Sequence, residues 1–171
     1  MKQYRLVFES LDVNGSDAKR TVIMEGNISY PETIFDLGLL HEEQIQLIKE
    51  TQNSIIKEQI NQINKTVQFC PQCETSNKLE RCGQNKSDYH DIFTDHKVVI
   101  TRKHCPNCKY ESPSSIKAIF GSNLSAELAK IQAELGSQYT YRECSRLFEL
   151  FSHQEREINN HDRVKQTSEI V

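Results

Sequence analysis

The sequence has no tryptophan, no long apolar run and a modest apolar fraction. Of 171 residues, 36% are hydrophobic, and the mean hydropathy is clearly negative. That supports small cores but not one large one, within a length that suits one ordinary domain or two to three small modules. No stretch approaches the roughly 20 apolar residues of a membrane span. Met1, Lys2, Gln3, Tyr4 and Arg5 are not followed by an apolar signal core. A membrane partner is therefore not expected, and the cytosol is the expected location. Also missing are a glycine-rich phosphate loop, a metal site with an open position and a carboxylate pair at useful spacing. Catalysis is not expected from these residues. There is no internal repeat and no low-complexity linker.

What is present begins with six cysteines. In a reducing compartment these are metal ligands or buried thiols in preference to disulfides. The net charge of −3 is unevenly distributed. Residues 1–64 carry a net charge of −4, residues 65–117 a net +3, and residues 118–171 a net −2. The one basic segment is thus the one that holds the paired cysteines. Phosphate neutralisation by Lys and Arg dominates nucleic-acid binding, so this segment is the first place to look for it. A mildly basic solvated surface is the alternative.

Residues 4–9 and 20–25 are rich in β-branched and aromatic side chains, and the turn formers Asp-Val-Asn-Gly-Ser-Asp lie between them at 12–17. This predicts a β-hairpin, which needs something to pack on. The next element is the expected partner. Residues 41–65 contain no Gly or Pro, and Ile45, Ile48, Ile55, Ile56, Ile60, Ile63 and Val67 recur mostly at helical spacings. Glu42 and Glu43 suit the positive end of that helix. Its length also offers a coiled-coil face for a homodimer, as an alternative to packing on the hairpin.

The central chemistry is Cys70-Pro-Gln-Cys73, then 31 residues, then Cys105-Pro-Asn-Cys108. Each Cys-Pro-x-Cys turn aims two thiolates at one point, and two such turns supply the tetrahedral set that zinc prefers. The intervening residues predict strands at 78–82, 89–94 and 97–103, with Asp95 and His96 as a turn. The expectation is a zinc ribbon holding one structural Zn2+ on Cys70, Cys73, Cys105 and Cys108. Four thiolates leave no position for water, so the metal would not be catalytic. A dithiol redox pair would require a thioredoxin-like βαβ unit, which is not visible. Iron suits the same four thiolates. Cys82 reads as a spare strand thiol or an alternative ligand. Cys144 reads as a buried thiol in preference to a nucleophile paired with His153.

The remainder is helical. Ser125 begins a helix carrying Leu128, Ile131 and Leu135 that is expected to stop at Gly136. Thr140 and Glu143 form a capping box ahead of Leu147, Phe148, Leu150 and Phe151. A third short helix is expected from 159 or 160 toward 169. A helix, a break and a capped helix match the start of a helix-turn-helix, which would place Asn159, Asn160, His161, Arg163 and Lys165 on a recognition helix. A plain helical hairpin packed on the ribbon is the alternative. Glu155 and Glu157 are unfavourably placed for phosphates. The overall expectation is an α+β chain in three parts: a hairpin and helix at 1–67, a zinc ribbon at 68–113 and a helix-turn-helix-like segment at 114–171.

The order of these parts carries a resemblance. Asp36-Leu-Gly-Leu leads into the long helix. The first cysteine turn is followed by an Arg81-Cys-Gly-x-Asn-Lys86 turn and by Phe93-Thr94 before a strand. Next come Arg102-Lys-His104 before the second cysteine turn, a Ser-Pro exit, and Tyr139-Thr-Tyr-Arg-Glu143 ahead of a Leu-Phe-x-Leu-Phe helix. Over residues 36–168 the chain resembles the N-terminal region of bacterial insertion-sequence transposases, in which a zinc ribbon and a helix-turn-helix precede an Asp-Asp-Glu catalytic domain. The resemblance implies a bacterial, cytoplasmic protein whose partner is double-stranded DNA, the inverted repeats at transposon ends. It implies Cys70, Cys73, Cys105 and Cys108 as zinc ligands and the helix after Phe151 as the DNA reader. Lys86, Arg102, Lys103, Asn159, Asn160, Arg163 and Lys165 are the expected DNA contacts. The chain departs from the family in ending at Val171, where a catalytic domain is expected to follow, so the expectation is a DNA-binding portion without catalysis. A zinc-ribbon adaptor for protein partners is the alternative function.

Overall fold

The computed structural model describes residues 2–11, 18–73, 77–152 and 156–170. The expected turn at 12–17 lies outside these, as do His153 and Glu155. Among the described residues the protein is mixed α+β, with two small antiparallel sheets and five α-helices. It divides into two compact units, residues 1–56 and 57–171.

In the first unit, β1 (Lys2–Leu11) pairs antiparallel with β2 (Ala18–Ile28), with a bulge between Leu6 and Val7. A 3-10 turn at Ile34–Asp36 is held by a capping box, in which the Asp36 carboxylate accepts the Thr33 amide at 2.7 Å. Gly38 adopts φ +82°, which a side chain would resist. Helix α1 (His41–Lys65) then begins where expected, with Glu43 reaching back to the Leu40 amide at 2.7 Å. The boundary between the units falls within this helix. The hairpin was expected to be sealed by its neighbours. Instead Val7, Leu11, Val22 and Ile28 remain exposed.

The second unit is built around β3 (Glu80–His90) and β4 (Asp95–His104). These are two long strands in place of the three expected. The chain turns at 91–94, not at Asp95 and His96, which already pair with His90 and Tyr89. Two devices account for the difference. The stretch around Gly83 has turn composition, but Gly83 sits at φ +137° in a bulge that takes up Cys82 as an extra residue, so pairing continues past it. At the tip, the Asp91 carboxylate accepts the amides of Phe93 and Thr94 at 2.8 and 2.7 Å, closing the turn itself.

The free edge of β4 is not left open. The Asn64 carboxamide, at the end of α1, donates to the Val99 carbonyl at 2.9 Å and accepts the Thr101 amide at 2.8 Å, as a neighbouring strand would. Along β4 the buried residues alternate as His96, Val98 and Ile100, then shift phase opposite the bulge to Lys103 and Cys105. The bulge therefore turns the face carrying Cys105 inward.

Helix α2 (Ile116–Phe120) is capped by Ser115 and ended by Gly121 at φ +82°. The chain next pairs with the end of β3, with the Ser125 amide donating to the His90 carbonyl at 2.8 Å. Helices α3 (Ala126–Gln138), α4 (Tyr141–Ser152) and α5 (His161–Ile170) enclose a core of Leu128, Cys144, Phe148 and Val164. The Thr140–Glu143 capping box forms as the sequence predicts, with the Glu143 carboxylate accepting the Thr140 amide at 3.0 Å. Gly136 does not end α3, which runs to Gln138. Its missing side chain instead admits α5: a Cβ there would run into Ser168 Oγ and meet Tyr141 at 3.3 Å. At the centre of the bundle Gln132 is fully buried. It donates to the Ile158 carbonyl and the Asn159 side chain and accepts Thr167 Oγ1.

Arg156 joins the bundle to the tip of the β3–β4 hairpin. Its buried guanidinium donates to the carbonyls of Asp91, Ile92 and Thr94 and to the Asp95 carboxylate. The helices are thereby fixed on the strands that lead to the cysteines.

Candidate functional site

Each cysteine pair sits in its own small turn. In the first, Phe69 bridges Lys78 and the Cys70 amide donates to the Asn77 carbonyl at 2.8 Å. In the second, His104 bridges Glu111, and the Cys105 amide donates to the Tyr110 carbonyl at 2.8 Å. Lys109 lies at φ +60°, a left-handed residue directly after Cys108. It bends the chain back and lets its amide reach the Cys105 carbonyl at 3.0 Å.

The two turns meet. Cys70 Sγ lies 3.5 Å from Cys108 Sγ, and Cys73 Sγ lies 3.7 Å from Cys105 Sγ. All four sulfurs fall within 4.8 Å of one another. Zn–S bonds of ~2.3 Å in a tetrahedron place sulfurs ~3.8 Å apart, so the donor set has the size of a four-thiolate metal site. Leu79 and Tyr110 pack beside it, with Cys70 and Cys105 buried and Cys108 exposed. These four cysteines can hold a metal ion.

Cys73, Cys105 and Cys108 shift one another's titration. Cys105 is brought down to about 6, chiefly by the Cys108 amide and then the Asn107 amide, against the opposing effect of burial. Cys73 is pushed up to about 12: a hydrogen bond with Asn77 favours its thiolate, but the Cys108 and Cys105 thiols beside it outweigh that. Cys108 is also raised. Cys105 ionises readily, and Cys73 and Cys108 resist. A dication bound at the centre would favour the thiolate form of all four.

Cys82 is exposed on the bulge and stands outside this group. Cys144 is completely buried in the helical core, where burial raises its pKa, as expected of a packed thiol.

The expected DNA contacts fall in different places. Lys86 is exposed on β3. Arg102 is half-buried on β4 and reaches both oxygens of the Glu111 carboxylate at 3.2–3.3 Å. Lys103 is only 6% exposed and donates to the Thr66 carbonyl at 2.6 Å. Burial, and then the charge of Arg81, lowers its pKa. Asn159 is 3% exposed, and its oxygen is taken by Gln132. Lys103 and Asn159 therefore do not stand on an open DNA-facing surface in this conformation. Both face inward because a bulge and a 3-10 turn, at 157–159, set their phase. Asn160 caps α5, accepting the Arg163 amide at 3.0 Å. Arg163 and Lys165 are exposed on that helix, and Lys165 lies 3.9 Å from Glu169. Asp162 and Glu169 balance these two cations along α5.

Sequence reasoning missed Arg156 and the hydrogen-bonded pairs around it, His90 with Asp95 at 2.6 Å and His96 with Asp91 at 2.9 Å. The close spacing of Asp91, Asp95 and His96 was the available signal, but their turn was placed at the wrong residues.

No protein-family model, curated protein or solved structure matches the chain. Among the described residues, no helix is long and apolar enough to cross a membrane.

Proposed function

We propose that the chain is a zinc-ribbon DNA-binding module of the kind found at the N-terminus of insertion-sequence transposases, binding duplex DNA without catalysis of its own. The observation that carries the reading is the four-sulfur set at tetrahedral spacing, held by two Cys-Pro-x-Cys turns in the one basic segment of the chain. Zinc suits it because four thiolates complete the shell and make the ion structural. The proposed contacts are Lys86 and Arg102 on the strands, and Asn160, Arg163 and Lys165 on α5. The resemblance in the order of parts points to transposon ends as the target.

A second reading has its own support. In the first unit Tyr30 and Phe35 are 89% and 82% exposed, and Ile34, Leu37 and Leu40 near them are exposed too. A patch of this kind suits a protein partner, or a second copy of the chain that also uses α1. Salt separates the two readings. The zinc-loaded protein is titrated with pooled random duplex DNA at 50 and 200 mM salt. Binding that weakens steeply with salt and enriches one sequence supports the DNA module. Absence of binding at 50 mM salt overturns it in favour of the adaptor.

A further inference from the structure

Arg81 and Lys103 face each other across β3 and β4. Like charges opposite one another in an antiparallel pair repel, so the arrangement costs stability unless an anion intervenes. Around them the chain leaving α1 and the strand entering β3 form a groove lined by Asn64, Lys65, Thr66, Lys78, Arg81 and Lys103. Glu80 is the acidic residue of the lining. Lys65, Lys78 and Arg81 are exposed, and among the described residues none of them pairs with a carboxylate.

Lys103 is the residue that most needs explaining. It is 94% buried, and the hydrogen bond it makes is to the Thr66 carbonyl, which lies just past the C-terminal end of α1 and carries a partial negative charge. That partial charge offsets only part of the cost of taking an ammonium out of water, and among the described residues no carboxylate pairs with it. Three exposed cations and one buried cation around a concave surface form a receptor for an oxyanion.

We propose that this groove is a phosphate-binding site, with Lys103 at its floor and Lys65, Lys78 and Arg81 at its rim. The backbone of duplex DNA is the source of the phosphate, and in that respect the proposal rests on the DNA-binding reading above. It adds three residues, Lys65, Lys78 and Arg81, that are not among the expected DNA contacts. It also gives Lys103 a role compatible with its burial.

The test uses the full, zinc-loaded chain carrying Lys78→Gln with Arg81→Gln. Both positions are exposed, so the fold should tolerate the change, and zinc content and the amide spectrum check it. A control carries Lys117→Gln with Lys130→Gln, exposed lysines outside the groove. Affinity for a random-sequence duplex is measured between 50 and 200 mM salt. The groove variant should lower the slope of log affinity against log salt by about 1.8, the loss of two phosphate contacts, with the control unchanged. A groove variant that binds like the wild type overturns the groove while leaving the DNA reading in place. Equal losses in variant and control also overturn it, because the effect is then one of net charge. If the wild type binds no duplex, titration with inorganic phosphate decides. Shifts confined to amides near 65, 78, 81 and 103 would keep the phosphate site and reject DNA as its source, whereas no shifts would reject both.

Discussion

Arg156 and Asp95 show how much one residue can decide that its neighbours in sequence do not announce. Asp95 lies at the start of β4, and its carboxylate meets both His90 and Arg156. Burial raises its pKa, but the hydrogen bonds from His90 and Arg156, with the charge of Arg156, outweigh this and hold it well below the ordinary carboxylate range. The Asp91 carboxyl is likewise lowered, burial being outweighed by His96 and by the Thr94 and Phe93 amides. A depressed pKa contributes stability above the unfolded value of about 4, and that contribution is lost as pH falls toward the folded value. Asp95→Asn should therefore be destabilised near neutral pH, and the gap to wild type should narrow as pH drops below about 4. Denaturant titrations at several pH values measure it. A gap that is constant with pH would show that the charge of Asp95 does not stabilise the junction.

At the scale of elements, Gly136 marks where two helices need each other. A glycine inside a helix costs about 1 kcal/mol relative to alanine, so its presence in α3 calls for a packing reason. The reason is α5, whose Ser168 occupies the space a side chain would take. Ser168 is tied down by bonds from its hydroxyl to the Gln132 and Val164 carbonyls. Gly136→Val should separate α3 from α5 and lower stability by about 2 kcal/mol, read from denaturant midpoints. A neutral result would mean that the helices slide apart at little cost. The same packing holds Asn160 and α5 in place, so the variant should also disturb any contact made through Arg163 and Lys165.

For the whole molecule, the metal is the proposed source of order around the cysteines. The core beside them amounts to Leu79 and a half-buried Tyr110. Metal binding at such four-thiolate sites contributes on the order of 10 kcal/mol or more, and that is largely the folding energy of the surrounding segment. Cys105→Ser should lose zinc and scatter the amide signals of residues 68–111. Those of residues 41–56, which belong to the other compact unit, should be retained. An unchanged spectrum at 68–111 would remove the metal from the account of the fold.

Much of this protein is determined locally and was legible from the sequence. Paired cysteines with proline between them specify tight turns by their own chemistry. A run of 25 residues without glycine or proline specifies α1, and a Thr–Glu pair three residues apart specifies the start of α4. What only the tertiary structure decided involves partners distant in the chain. Gly83 looked like a turn but is a bulge, because β4 lies alongside to keep the pairing going. Gly136 looked like a stop but is a contact surface, because α5 returns to it 32 residues later. Lys103 and Asn159 looked exposed because polar residues usually are. Their burial follows from a phase set by the bulge at Cys82 and the 3-10 turn before α5. Spacing in sequence fixes what a turn or helix can do by itself. Which side of it meets water depends on what packs against it, and that information is spread along the whole chain.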